Sequence, residues 1–201
     1  MSEVHGEESS ANLPYMTLFD YLVIGFGLLF TGAAMRLIGG LSSALNPERR
    51  YWIHSLLAFV ILLAVAGSFW NFWGLKEVNW TLSKFLLVLL IPGLWYYCSC
   101  VLIPENPNDI NDWQEYYYSI RVRFFLGMVG WTLVIIATSF FILHLPVAHP
   151  ARIGHFTSLG ISVLGVISSN PRVHGGLVLV LSVIVIGMCA TIASQPGWLM
   201  E

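Results

Sequence analysis

Residues 52–73 read WIHSLLAFVILLAVAGSFWNFW, and Ser55 through Leu75 carry no Asp, Glu, Lys, Arg or His. Roughly 20 mainly apolar residues are what an α-helix needs to cross the hydrocarbon core of a bilayer. Backbone amides cannot stay unpaired in lipid, so a continuous run of this kind is read as a helix. The strands of a membrane barrel would alternate in hydrophobicity instead. Trp52 at one end and Trp70 and Trp73 at the other sit where amphipathic rings favour the membrane–water boundary.

Working outward, the same pattern recurs. Apolar runs fall at about 17–37, 52–73, 80–103, 120–143, 153–169 and 174–192, each bounded by Pro, Gly, Asn or charge. The expected fold is therefore all-α, a polytopic transmembrane helical bundle of about six spans. It divides into a polar tail (1–16), one membrane domain (17–196) and a short C-terminal tail (197–201). Pro92 inside the third run is expected to kink it, and the fifth run is the shortest. The chain opens Met1-Ser2-Glu3-Val4-His5 without the positive region of a cleaved signal, so the first run is expected to be a retained span.

Composition agrees. Of the 201 residues 57% are hydrophobic and 10% charged, against about a quarter charged in soluble domains. Net charge is −2, which gives no field to gather nucleic acid. The expected partners are the lipid bilayer and either further copies of the chain or other membrane subunits. Cys98, Cys100 and Cys189 read as small apolar residues rather than a disulfide set.

Lysine and arginine set orientation. With the N-terminus outside, Arg36, Arg49, Arg50, Arg121, Arg123 and Arg172 are cytoplasmic, and Lys76, Lys84 and Arg152 are external. Six against three places both termini outside in a multi-pass protein of the cell membrane. Aromatic residues are expected as boundary anchors: Trp70, Trp73 and Trp80 on one side, and Tyr51, Trp52, Trp95, Tyr96, Tyr97, Trp113 and Tyr116 to Tyr118 on the other.

The ionisable residues all fall at helix ends or in connections, so proton relays and voltage sensors lose their usual carriers. The spans hold no His-Glu-x-x-His, Gly-x-Ser-x-Gly or Cys-x-x-Cys, and catalysis within the bilayer is not expected. No motif assigns a cofactor. Two clusters at helix ends could hold ligands. Arg36, Arg49, Arg50, His54, Arg121, Arg123 and Arg172 could converge on a lipid headgroup or small anion, since arginine forks suit phosphate and carboxylate. Alternatively they set topology and pair with Glu48, Glu105, Asp109, Asp112 and Glu115. His144, His149 and His155 bracket a Pro-containing turn and could bind a transition metal. Gly25, Gly27, Thr31, Gly32, Ala33, Ala34, Gly39 and Gly40 mark a close-packing seam on the first span.

Tyr51-Trp52-x-His54, Trp70-x-x-Trp73, Trp80-Thr81 and Tyr116-Tyr117-x-x-x-Arg121-x-Arg123-Phe124-Phe125 resemble the anchors of a family of uncharacterised bacterial six-span membrane proteins. The likeness covers about residues 18–141. It implies the six-span topology and a bacterial inner membrane, and brings no activity.

Three functions compete on these residues. One is a channel or transporter subunit without intramembrane ionisable groups. Another is a non-catalytic structural subunit of a larger membrane complex, and the third is a lipid-binding or sensor protein. Thr31, Ser68, Asn71, Ser99, Thr132, Thr138 and Ser139 discriminate: lining one hydrated cavity favours transport, and bonding the main chain favours the subunit.

Overall fold

The computed structural model describes residues 16–149 and 151–192, with side chains described to 190. Both tails, apart from Met16, lie outside the described residues. Six α-helices follow one another: α1 (Leu18–Ala44), α2 (Trp52–Asn71), α3 (Leu82–Leu102), α4 (Trp113–Phe141), α5 (Ala151–Ile167) and α6 (Pro171–Ile192), with short 3-10 turns at Phe72–Leu75 and Pro107–Asp109. Five of the helices are long and apolar enough to cross a membrane. The shorter apolar α5, with 17 residues, rises about 26 Å at 1.5 Å per residue. The expected all-helical membrane bundle is the fold.

Two helices run further than their apolar stretches. α1 continues through Gly39-Gly40 to Ala44 because Gly40 is buried directly against Ile103, where a Cβ would collide. Packing there outweighs the glycines' weak helix propensity. α4 begins at Trp113 rather than near 120, since the Asp112 carboxylate accepts from the Gln114 and Glu115 amides. α1 opens on a reciprocal cap: Asp20 N–H donates to the Thr17 hydroxyl, and Thr17 N–H donates to the Asp20 carboxylate at 2.9 Å. This places Asp20 at an exposed helix start, as its sequence position implied. α3 runs on through Pro92 to Leu102.

The helices pack in a ring, α1 against α3, α3 against α4, α4 against α5, α6 against α2 and α2 against α1, with a lighter α5–α6 contact closing it. In lipid, helices associate through close packing rather than apolar burial alone. Each principal contact accordingly seats a large side chain on a glycine: Tyr96 on Gly32, Tyr97 on Gly127, Phe125 on Gly165, Trp52 on Gly175 and Phe69 on Gly27. The α1 seam thus faces α2 and α3 of the same chain, while Gly25 and Gly39 open outward. α1 is the least buried of the long helices, and α2 and α3 the most.

Several aromatic residues expected at the membrane boundary belong to the core instead. Trp95, Trp113 and Tyr117 are buried, whereas Trp52, Trp70, Trp73, Tyr96 and Tyr97 remain exposed. Trp95 donates to the Ser68 hydroxyl at 3.0 Å and packs at a tilt against Trp131, with ring centroids 4.6 Å apart. Such a ring stays inside because its one N–H has found an acceptor.

Candidate functional site

Connections 45–51, 103–112 and 168–170 share one end of the bundle, where α1, α3 and α5 stop and α2, α4 and α6 start. The last carbonyls of a helix have no partner within it and need donors from elsewhere. At this end local amides supply some of the donors, and side chains from elsewhere in the fold supply others.

The end of α3 is held by three elements. Arg36 Nε donates to Ile103 O at 3.0 Å, His54 Nε2 to Leu102 O at 2.9 Å, and the Tyr116 hydroxyl to Val101 O at 3.0 Å. The end of α1 is held by Ser55, whose hydroxyl donates to Ala44 O at 2.6 Å, and by Trp113, whose indole donates to Ser43 O at 3.0 Å. Arg121 closes α5, donating to Val166 O at 2.8 Å, Ser168 O at 2.7 Å and the Ser169 hydroxyl at 2.8 Å. Arg49 gathers the 103–112 connection through Asn108 O and Ile110 O, both at 2.8 Å.

Aromatic and imidazole rings fill the space between these bonds. His54 is fully buried and stacks on Trp113 at 4.5 Å. A carbonyl can only accept, so His54 carries its proton on Nε2, and its buried Nδ1 has no partner. His174 likewise donates from Nε2 to Ser168 O, which leaves Nδ1 to accept from the Tyr117 hydroxyl at 2.7 Å. Tyr51 and Tyr118 share a hydroxyl contact of 3.2 Å. Burial, with the Tyr118 hydroxyl beside it, holds the Tyr51 phenol well above its ordinary pKa, so it stays neutral.

The seven basic residues grouped from sequence therefore separate. Arg36, Arg49, Arg121 and His54 are carbonyl clamps. Arg50, Arg123 and Arg172 are exposed. Among the described residues the expected pairing of the arginines with Glu48, Glu105, Asp109, Asp112 or Glu115 gives way to main-chain carbonyls, because the ends of α3 and α5 and the 103–112 connection offer part-buried acceptors that need donors. Arg121 and Arg123, two positions apart, differ in their contacts. Arg121 reaches α5, while the Arg123 carbonyl receives the Tyr97 hydroxyl from α3.

The three histidines at the opposite end do not form one site. His144 is exposed at a positive φ of 52°. His149 Nδ1 is occupied by the Ala151 amide at 3.2 Å, and His155 Nδ1 is buried without a partner. Among the described residues no three His, Cys, Asp or Glu side chains gather as a metal site. Sequence reading passed over Arg152 there. It is buried, its guanidinium lies 3.6 Å from the Phe140 ring centroid, and it donates to Leu145 O at 2.9 Å and to the Ser139 hydroxyl. Its place one turn from His155 was the available signal.

The polar residues inside the bundle also disperse. Ser99, Thr132 and Ser139 donate to the carbonyls of Trp95, Met128 and Ile136. Ser68 receives the Trp95 indole N–H, and Thr31 is exposed on α1. Asn71 Oδ1 and Thr138 Oγ1 are buried without partners.

Compared with known families, curated proteins and solved structures, the chain matches none.

Proposed function

We propose that this protein is a non-catalytic subunit of a membrane assembly, seated in a bacterial cell membrane with its arginine-rich end on the cytoplasmic side and both termini outside. One observation carries the reading. The hydroxyls along the helices are turned back on their own helices: Ser99, Thr132, Ser162 and Ser182 each donate to the carbonyl four residues earlier, at 2.7 to 2.9 Å. A hydroxyl spent this way leaves little to replace the water shell of a passing solute.

The outward glycines add support. Gly25 and Gly39 on α1 and Gly187 on α6 have open space where a Cβ would be, which lets a foreign helix approach closely. Orientation rests on the six-to-three distribution of Lys and Arg between the two ends. The likeness to uncharacterised bacterial six-span proteins is carried forward in the same sense, as a proposal about kinship.

Gentle detergent extraction of the tagged chain at native expression, followed by native mass spectrometry, tests the reading. The expected particle exceeds the 22.4 kDa chain and contains other membrane chains in fixed ratio. Saturable solute flux by the purified chain alone in liposomes would overturn it in favour of transport.

A further inference from the structure

With the carbonyl clamps set aside, Arg172 stands out at the arginine-rich end. It is exposed, and among the described residues only its main-chain N–H is engaged, by the Asn170 side chain at 2.9 Å. It borders a groove of about 550 Å³ between the starts of α2 and α6, with Trp52, Gln114, Gly175, Gly176 and Leu179 among the other walls. Among the described residues no carboxylate lines the groove, and Arg172 gives it a positive sign. The start of α2 adds to this, because its cap residue Tyr51 offers no side-chain bond to the first amides.

Two glycines shape the groove. Gly175 lets α6 close on Trp52, whose indole would lie 3.2 Å from an added Cβ. Gly176, one residue on, has nothing within 4 Å and leaves a notch facing outward. Below the notch Leu179, Val180 and Val183 are exposed on the same face of α6, at 52%, 48% and 72%. The groove is therefore cationic at the membrane surface and apolar where it descends along the helix.

We infer that this groove binds an anionic phospholipid, its phosphate diester on Arg172 and one acyl chain along Gly176, Leu179 and Val183. The charge pattern selects the occupant. A soluble phosphate would make no use of the apolar wall, and a zwitterionic headgroup would bring its own ammonium to a lining whose described residues offer it no carboxylate. The inference stands apart from the subunit reading, since a lipid can occupy the groove whether or not partner chains are present.

Native mass spectrometry of the detergent-purified protein with phosphatidylglycerol or phosphatidylcholine of matched chains provides the test. The wild type should retain phosphatidylglycerol about fivefold better, the size of one surface guanidinium's contribution. Arg172→Gln should reduce retention to the phosphatidylcholine level. Gly176→Leu, which fills open space and leaves Arg172 in place, should lower retention of phosphatidylglycerol with the melting temperature unchanged. Unaltered phosphatidylglycerol preference in both variants would overturn the inference. So would displacement of the lipid by millimolar inorganic phosphate, which would make this a site for free anions.

Discussion

The two ends of the bundle close their helices by different means. At the opposite end the main chain does it locally: Ile142 and Leu143 N–H both donate to Thr138 O, Lys76 N–H to Trp73 O and Val78 N–H to Leu75 O. At the arginine-rich end local amides act too, Leu45 N–H to Leu41 O and Ile103 N–H to Ser99 O, but side-chain donors from distant sequence are added, Arg36 to Ile103, Trp113 to Ser43 and Arg121 to Val166. Local closure fixes one helix end. Long-range closure ties helices to one another, so the cohesion of the ring should depend unequally on its two ends.

The largest effect is expected from Trp113→Ala, which removes a fully buried ring, its stack on His54 and the bond to Ser43 O. A loss of about 3–5 kcal/mol is anticipated for a large aromatic, read as a drop in thermal stability in detergent. A change no larger than that of an exposed tryptophan such as Trp73→Ala would erase the contrast between the ends.

Arg121→Met keeps the apolar stem and removes the guanidinium that closes α5. About 2 kcal/mol should be lost, in line with hydrogen bonds to a charged donor. Hydrogen exchange should quicken over residues 165–170 while the start of α1 keeps its protection. Uniform loss along the chain would mean that the clamp is not specific to α5.

Arg152→Met makes the matching change at the opposite end, with a smaller effect expected. Arg152 is buried beside Phe140, and its Nε has no partner. Removing this desolvated charge is favourable in itself, but it also takes the donor from Leu145 O, and the two effects oppose each other. Melting should shift by no more than the equivalent of about 1 kcal/mol in either direction. A loss as large as that of Arg121→Met would show that both ends depend on their arginines alike.

The smallest effect belongs to His144→Gly. At φ 52° a side chain is strained and glycine is not, so a gain of about 0.5 kcal/mol in thermal stability is expected. A loss would assign the His144 ring a contact worth more than the backbone strain.

What could be read from residues alone follows the same division. Apolar runs marked every helix, and Thr17-x-x-Asp20 and Asp112-x-x-Glu115 carried the caps that start α1 and α4, although only the first lay at an expected boundary. The extension of α1 through Gly39-Gly40 was illegible because it depends on Ile103, on another helix. Trp95 and Trp113 have the composition of boundary anchors, and only their buried neighbours distinguish them. The roles of Arg36, Arg49 and Arg121 were hidden for a simpler reason. Their partners are carbonyls, which every residue possesses, so no residue type at the receiving end could announce the contact.

The long-range closure also bears on the order in which the protein can be made. A chain emerges from the ribosome N-terminus first, so α1 and α3 enter the membrane before Trp113 and Tyr116 exist. Until α4 arrives, Val101 O lacks the Tyr116 hydroxyl that donates to it, and Ser43 O has the Asn46 amide but not the Trp113 indole. α5 meets the reverse situation: Arg121 is already in place when its end is synthesised, and His174 follows within a few residues. The first three helices should therefore remain accessible to insertion factors and proteases until the fourth has threaded, and the last two should be captured as they appear.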